Sequence, residues 1–131
     1  MPSIFSRIVA GEIPCHKIAE TEDYLAFLDV SPRAVGHTLV IPKLETDYIF
    51  DMEDEALAGL MVFAKRVARA VEAAVPCARI GVAVIGLEVP HTHIHLVPLN
   101  RIADLSFERP PIAVTQEELA ETAVRIRAAL E

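Results

Sequence analysis

The sequence lacks the features that mark disulfide-rich, zinc-knuckle and membrane proteins. It has two cysteines in 131 residues, Cys15 and Cys77, and they are not in CxxC spacing. This usage favours free thiols over a disulfide framework or a zinc knuckle. No apolar run approaches the roughly 18 residues of a membrane span, and the N-terminal stretch does not have the pattern of a signal peptide. We therefore expect no membrane association and a cytoplasmic location.

Positive charge is also scarce. Twelve Lys and Arg residues stand against 19 Asp and Glu residues, which gives a net charge of −7. A chain of this charge is not expected to bind nucleic acid in general, so any phosphate site must be formed by local groups. With 53% hydrophobic residues in 131, the chain is long enough for one domain, residues 1–131, with a real core.

Three histidines occupy alternate positions in an apolar segment: His91, His93 and His95. In a strand, alternate side chains share one face about 6.5–7 Å apart, and Pro90 and Pro98 favour a short extended segment over a helix. A row of three titratable rings brings no obvious packing benefit. From the residues alone, it indicates either a metal site or a nucleophile with acid–base neighbours.

The rest of the chain predicts strands and three helices. Extended segments are predicted at 17–19, 24–30, 36–42 and 79–85, with 17–19 and 24–30 forming a hairpin and 79–85 lying antiparallel to the histidine segment. A short helix is predicted between Ser3 and Gly11. A long apolar stripe at helical spacing follows Asp51 and Asp54, which resemble a capping arrangement, and Thr115 with Glu118 predicts a capping box for a last helix.

The chain contains an ordered set of motifs, namely Ile4-Phe5, Ile8, Glu12-Ile13-Pro14, Leu25-Ala26-Phe27-Leu28-Asp29-Val30-Ser31-Pro32, Gly36-His37-Thr38-Leu39-Val40-Ile41-Pro42 and His91-Thr92-His93-Ile94-His95-Leu96-Val97. In their order and spacing, these motifs resemble the histidine triad (HIT) family, in its small nucleoside phosphoramidase-like branch. The resemblance covers about residues 3–100, with 101–131 as a C-terminal extension. It implies an α+β fold with an antiparallel sheet of about five strands, one long helix, a short N-terminal helix and a C-terminal helix, and a homodimer.

The resemblance further implies hydrolysis or transfer at the α-phosphorus of nucleoside 5′-phosphoramidates or related purine nucleotide conjugates. His93 is then the nucleophile of a covalent nucleotidyl intermediate that water cleaves. It must present a neutral nitrogen, so we expect a backbone carbonyl or similar acceptor to hold its other nitrogen as N–H. His37 and His95 would contact phosphate oxygens or the leaving group, and His91 would support the site. No cofactor and no metal is implied.

Nucleotide-binding residues follow from the same resemblance. Asp29 matches a ribose-hydroxyl acceptor, and the segment before the triad adds Glu88 and Val89. The apolar base pocket is matched by Phe5, Ile8, Phe27 and Val30. An apolar pocket with a few placed polar groups suits a nucleoside.

Three features of the sequence depart from the family pattern. Residues 80–90 lack the Asn-containing, glycine-rich loop of many members, and Glu88 stands where a small hydroxyl residue is frequent. A carboxylate there repels a phosphate dianion unless it is protonated, turned away or reading a cationic leaving group. Ser3, Ser6 and Glu45 stand where some bacterial relatives have zinc ligands, so we do not expect that structural zinc site.

Two other functions remain open on the sequence. The missing loop and Glu88 are compatible with a nucleotide-binding regulatory protein that has little catalysis. The triad is also compatible with a metal protein that uses imidazole ligands.

Overall fold

The computed structural model describes residues 1–130, which form a five-stranded antiparallel sheet with three α-helices. The strands are β1 (Lys17–Glu20), β2 (Tyr24–Leu28), β3 (Thr38–Pro42), β4 (Arg79–Ala83) and β5 (Ile94–Leu99), in the order β1-β2-β3-β5-β4. The helices are α1 (Ile4–Val9), α2 (Asp54–Ala74) and α3 (Gln116–Ala129), with short 3-10 turns at Ile49–Asp51 and Ile102–Leu105. The predicted α+β fold with about five strands is confirmed. In the described residues, no helix is both long and apolar enough to cross a membrane.

The main core lies between the sheet and α2. Leu60, Phe63 and Val67 of α2 are buried there against Ala26 and Val40 of the sheet. Helix α3 packs on α2 and β1, with its buried positions at the expected helical spacing. The predicted capping box at its start is present, and the C-terminal extension therefore packs on its own chain.

The opposite face of the sheet carries α1. Because side chains alternate along a strand, Leu25 and Phe27 of β2 point away from α2, and so do Leu39 and Ile41 of β3. These four side chains form a second apolar cluster with Phe5 of α1. Ser3 caps α1 by accepting a hydrogen bond from the backbone N–H of Ser6. The candidate site is built on this face.

The start of α2 differs from the prediction. Asp51 ends a 3-10 turn, and α2 begins at Asp54 after Glu53, which makes no side-chain capping bond. The expected Asp51 cap is therefore wrong. The carboxylates of Asp54 and Glu55 lie instead in the first turn, where they interact favourably with the positive end of the helix dipole.

The histidine strand also starts later than expected. Strand β5 begins at Ile94, so His91 and His93 precede it, and Pro98 lies within it rather than ending it. The pairing of β5 with β3 ends at Leu96, while pairing with β4 continues to Leu99. Pro98 therefore lies where β5 has a neighbour on one side only, and there the missing N–H is tolerated.

Gly36, the residue before His37, must be glycine for two reasons. Its φ is +92°, and a Cβ there would lie 2.8 Å from Cγ2 of Val75 and 3.3 Å from Cγ of Pro98. Gly11 shares the positive φ, at +81°, but a Cβ there would meet nothing within 4 Å. An alanine at either position would have the strain of a positive φ, but only an alanine at Gly36 would also crowd its neighbours. Comparing the two substitutions therefore separates the cost of strain from the cost of crowding.

We predict that Gly36→Ala destabilises the protein more than Gly11→Ala does. The left-handed backbone alone costs about 1–2 kcal/mol with alanine, and crowding against Val75 adds about 1–3 kcal/mol for Gly36→Ala. The free energy of unfolding, measured by urea denaturation of both variants and wild type, checks this. Equal losses would show that the contact with Val75 relaxes without cost.

Candidate active site

Four buried histidines meet on the α1 face of the sheet. His37 precedes β3, and His95 lies on the neighbouring strand β5. His91 and His93 lie on either side of Thr92, whose hydrogen bonds hold this segment in place. The N–H and the hydroxyl of Thr92 both donate to the carbonyl of Thr46, at 2.7 Å each. The relative exposures are 1% for His37, 0% for His91, 7% for His93 and 7% for His95.

His93 has a defined tautomer. Its Nδ1 lies 2.7 Å from the backbone carbonyl oxygen of His91. A carbonyl only accepts, so Nδ1 carries the proton and donates, and Nε2 carries the lone pair. This is the hydrogen bond expected from the sequence. It leaves a neutral imidazole nitrogen able to attack an electrophile.

His37 and His95 form a second chain with assigned protons. The backbone N–H of Arg33 donates to Nδ1 of His37 at 2.9 Å, so the proton of the neutral His37 ring is on Nε2. That N–H lies 3.0 Å from Nδ1 of His95 and donates to it. The remaining ring nitrogen of His95, Nε2, therefore carries an N–H. The backbone amide of Arg33 thus sets the tautomer of His37 and, through it, that of His95. His95 is therefore a hydrogen-bond donor at Nε2, and its ring centroid lies 4.9 Å from that of His93.

Burial keeps these rings neutral. It lowers the pKa of His37 to about 3, with further lowering by His95, Arg33 and His93. Burial likewise lowers the pKa of His95 to about 4, and the neighbouring His93 ring and Arg33 add to that lowering. A positive charge in this pocket would lose its hydration without a full ion pair. Both rings therefore act as neutral hydrogen-bonding groups near pH 7.

His91 is held on both sides. Its Nε2–H donates to the carbonyl of Pro42 at 2.8 Å, and its Nδ1 accepts from the hydroxyl of Ser3 at 2.7 Å. Oε1 of Glu45 in turn accepts from the N–H of Ser3 at 2.7 Å and from the hydroxyl of Ser6 at 2.6 Å. The hydrogen bond from Ser6, then that from Ser3, lowers the pKa of Glu45 to about 2. The carbonyl that orients His93 belongs to this fully hydrogen-bonded residue.

The predicted apolar pocket lies at the His91–His93 end. The Phe5 ring meets His93 edge-on, with centroids 5.0 Å apart, and meets Phe27 at 5.6 Å. Ile8 and Val89 pack beside them, partly exposed. Val30 is 61% exposed and is not packed in this cluster.

The two predicted acidic residues have different surroundings. Oδ1 of Asp29 accepts from the N–H of Ser31 at 2.8 Å, and its Oδ2 lies 3.6 Å from Nε2 of His37. Burial raises the pKa of Asp29, and the charge of Glu88 adds to that rise. Glu88 itself is exposed, in the turn before the triad. Asp29 therefore lies beside the buried histidines, whereas Glu88 lies at the exposed edge of the site.

Phe107 belongs to the site although no motif pointed to it. It lies beyond the 3-10 turn Ile102–Leu105, and its ring centroid is 4.6 Å from that of His95 and 6.0 Å from that of His37. The guanidinium carbon of Arg33 lies 5.4 Å from the centre of the same ring. In the sequence, the feature that could have indicated this role is that Phe107 is an aromatic residue in a segment, 101–114, otherwise rich in charged residues and proline.

A comparison with protein families matches residues 10–102 to the HIT domain. The chain belongs to the HIT domain family. This HIT protein is 35% identical over 121 residues to adenosine 5′-monophosphoramidase of Schizosaccharomyces pombe, with 91% of each chain covered. It resembles the structure of a Hit-like protein from Bartonella henselae, with a TM-score of 0.85 and 33% identity, over 98% of this chain and 96% of that one. It also resembles a zinc-bound histidine triad family protein from Mycobacterium smegmatis, with a TM-score of 0.80 and 34% identity, over 96% and 91% of the two chains.

The histidines of this HIT protein do not fit a metal well. Among residues 1–130, Asp29, His37 and His95 offer ligand atoms within 4.8 Å of one another. However, Nε2 of His37 carries the proton because Nδ1 accepts from Arg33, so that nitrogen has no lone pair to offer a metal. At His91, the neighbouring groups are serine hydroxyls rather than the thiolates that structural zinc prefers. The proton on Nε2 of His37 and the serine hydroxyls at His91 therefore both disfavour a metal at these two places.

The depressed histidine pKa values predict a loss of stability in acid. His37 titrates near pH 6.5 in an unfolded chain but near 3 in the folded one, so below pH 6.5 the unfolded state binds more protons. Stability is therefore complete above pH 6.5 and falls as the pH drops, by about 1.4 kcal/mol per pH unit for each such group. Asp29, whose pKa is raised, acts in the opposite direction at lower pH.

We expect His37→Gln to remove about 1.4 kcal/mol per pH unit from this dependence between pH 6 and pH 4.5. The measurement is the urea unfolding free energy of wild type and variant at four pH values. His16 provides the matched control, because it hydrogen-bonds Gln116 on the surface, and His16→Gln should keep the wild-type slope. An unchanged slope in His37→Gln would mean that His37 is not buried as a neutral ring.

Proposed function

We propose that this HIT protein hydrolyses nucleoside 5′-phosphoramidates or related purine nucleotide conjugates at the α-phosphorus. The observation that carries the proposal is the assigned tautomer of His93, whose Nε2 carries a lone pair, in a ring whose centroid lies 4.9 Å from that of the donor His95. The relative from Schizosaccharomyces pombe, named adenosine 5′-monophosphoramidase, supports the same substrate class.

The reaction is proposed to run in two displacements. The lone pair of His93 Nε2 forms a bond to phosphorus, and the bond from phosphorus to the amine breaks, so that the amine leaves with its electron pair and takes a proton from solvent. Water then attacks phosphorus and gives up one proton to solvent, the electron pair of the phosphorus–nitrogen bond returns to Nε2, and the nucleotide leaves. The imidazole becomes cationic in the intermediate, and its Nδ1–H bond to the carbonyl of His91 stabilises that charge.

The other predicted residues take roles around this step. His95 donates its Nε2–H to a phosphoryl oxygen or to the departing atom, which needs neither metal nor cofactor. His37 keeps His95 in that tautomer, and His91 positions the carbonyl that holds His93. The base is proposed to occupy the pocket of Phe5, Ile8, Phe27 and Val89, with the exposed Val30 outside that cluster as a further contact. Asp29 is proposed to contact the ribose, and Glu88 lies at the exposed rim.

His93→Ala is expected to lower the turnover of adenosine 5′-phosphoramidate roughly a thousandfold or more, on the scale seen when a covalent nucleophile is removed. Wild type, mixed briefly with substrate and stopped in neutral denaturant, should gain the mass of one nucleotidyl group. The measurement is intact mass, together with product release, for wild type and His93→Ala. His16→Ala, at a surface histidine, controls for adventitious modification.

Two outcomes would contradict the proposal in different ways. Nucleotide binding without product or adduct would favour the regulatory alternative with little catalysis. Full turnover in His93→Ala would mean that the covalent step does not occur on this residue.

We also propose that the whole chain acts as one HIT domain and forms a homodimer. Strand β4 is a sheet edge, paired with β5 alone among the described strands. Val82, Ile85 and Leu87 in and after β4 are 52%, 47% and 88% exposed. An apolar strand edge of this kind is a template for pairing with a second copy. The net charge of −7 supports the absence of a nucleic-acid partner, and a cytoplasmic location remains our prediction.

Val82→Lys should shift this protein from dimer to monomer, because it places a charge at the proposed pairing edge. Sedimentation equilibrium of wild type and variant gives the molecular mass. Val124→Lys, at a 55% exposed valine on α3, adds the same charge elsewhere and should leave the mass unchanged. A wild-type monomer at micromolar concentration would refute the dimer.

A further inference from the structure

The loop after β3 holds both the triad segment and the start of α1. The carbonyl of Thr46 accepts from the N–H and the hydroxyl of Thr92, at 2.7 Å each. One residue earlier in the loop, Oε1 of Glu45 accepts from the N–H of Ser3 at 2.7 Å. The histidine segment and α1 are therefore fixed to the same short stretch of chain.

Two serines at the start of α1 lie near one ring nitrogen, and only one of them can donate to it. Nδ1 of His91 lies 2.7 Å from Oγ of Ser3 and 3.4 Å from Oγ of Ser6. A serine hydroxyl has a single proton to donate, and that of Ser6 goes to Oε1 of Glu45 at 2.6 Å. Ser3 is therefore the donor to His91.

The ring of His91 depends on this donor because it is fully buried. Its Nε2–H donates to the carbonyl of Pro42, so its Nδ1 carries a lone pair. Without the hydroxyl of Ser3, that lone pair would be buried without a partner, which is unfavourable. The ring would then move to find another donor. The backbone carbonyl of the same residue accepts from Nδ1–H of His93 at 2.7 Å, so a shift of His91 also moves the ring of the proposed nucleophile.

Helix α1 cannot place Ser3 by itself. It has six residues, and a helix this short is not stable in isolation. Phe5 anchors its apolar side, with a ring centroid 5.0 Å from that of His93. Glu45 anchors its polar end through the N–H of Ser3, and hydrogen bonds to a carboxylate are stronger than those between neutral groups. The position of the Ser3 hydroxyl is therefore set by contacts outside the helix.

We propose that Ser3 is a positioning residue for the ring of His93 and that Glu45 holds Ser3 in place. The carboxylate of Glu45 accepts from the N–H of Ser3, whose hydroxyl donates to the ring of His91. The carbonyl of His91 then orients Nδ1–H of His93. The ring and the carbonyl of His91 are separate groups, so this chain of contacts transmits position and not charge. Its effect on the chemical step rests on the proposed function, whereas the placement of the ring does not.

The first test is the rate of nucleotidyl transfer to His93 in a single turnover at saturating adenosine 5′-phosphoramidate, together with the Kd of adenosine 5′-monophosphate. Ser3→Ala should slow this step about 10- to 100-fold, because small displacements of a reacting group carry penalties of that size. The Kd should stay close to its wild-type value, since Phe5 and Phe27 still form the apolar pocket. Partial unfolding would instead lower the amplitude of the reaction and the number of nucleotides bound per chain.

Matched variants show whether the hydroxyl of Ser3 is responsible. Ser3→Thr keeps a hydroxyl at the helix cap and should restore most of the rate. Ser6→Ala removes a hydroxyl of the same helix that does not donate to His91, and it should stay close to the wild-type rate. Glu45→Ala should slow transfer, whereas Glu45→Gln keeps an acceptor oxygen and should slow it less. The double variant Ser3→Ala, Glu45→Ala should be no slower than Ser3→Ala, since Glu45 acts through Ser3.

The second test measures the placement of the ring and needs no substrate. The Nδ1–H proton of His93 is followed by NMR in isotope-labelled protein, and its exchange with water is measured. A buried N–H that is hydrogen-bonded exchanges slowly, so Ser3→Ala should speed the exchange about tenfold or more. Ser6→Ala should leave it near the wild-type value.

The two tests separate failure of this inference from failure of the proposed function. An unchanged transfer rate in Ser3→Ala, or an equally slow Ser6→Ala, would overturn the role of Ser3 and leave the hydrolase proposal intact. A double variant slower than Ser3→Ala by the full factor of Glu45→Ala would overturn the role of Glu45. Absence of turnover in wild type would overturn the proposed function, and the exchange measurement then decides the placement of His93, which an unchanged exchange rate in Ser3→Ala would overturn.

Discussion

The site depends on burying imidazole rings without charge. A buried histidine that stays neutral loses hydration, and donors or acceptors matched to its ring nitrogens offset that loss. In this protein the backbone supplies the deciding matches. The carbonyl of His91 accepts a hydrogen bond from Nδ1–H of His93, and the carbonyl of Pro42 accepts one from Nε2–H of His91. The backbone N–H of Arg33 donates to Nδ1 of His37, which leaves the proton of that ring on Nε2. Backbone groups have fixed donor or acceptor character, so they define the tautomers more firmly than titratable side chains do.

The fold brings these hydrogen-bonding groups together from distant parts of the chain. The α1 N-terminus contributes Ser3, the turn before β3 contributes Arg33, and the end of β3 contributes Pro42. Thr92 ties the triad segment to the loop after β3 through the carbonyl of Thr46. The glycine at 36, with its positive φ and close approach to Val75, lets the chain reach His37 in the required orientation. The strained backbone at Gly36 and the hydrogen bonds between distant segments therefore both help to position the four histidine rings.

The charge pattern of the site follows from the same arrangement. His37 and His95 are neutral, and Asp29 lies half-buried beside them. Arg33 makes no ion pair with a carboxylate of the described chain. An overall acidic protein thus presents one local cation next to its candidate phosphoryl site. This agrees with the expectation that a chain of net charge −7 needs local groups to hold an anion.

The sequence by itself determined the elements and the candidate chemistry. Helical spacing, a capping box and alternating apolar runs predicted three helices and about five strands, since these patterns arise from interactions between residues near in the chain. The alternate histidines indicated the site for the same local reason. Tertiary structure alone decided that β5 begins only at Ile94, that Asp51 is not the cap of α2, and that Phe107 covers His95. It also decided which nitrogen of each histidine carries the proton. These features depend on partners that lie tens of residues away, such as Ser3 for His91, and local patterns do not encode such pairings.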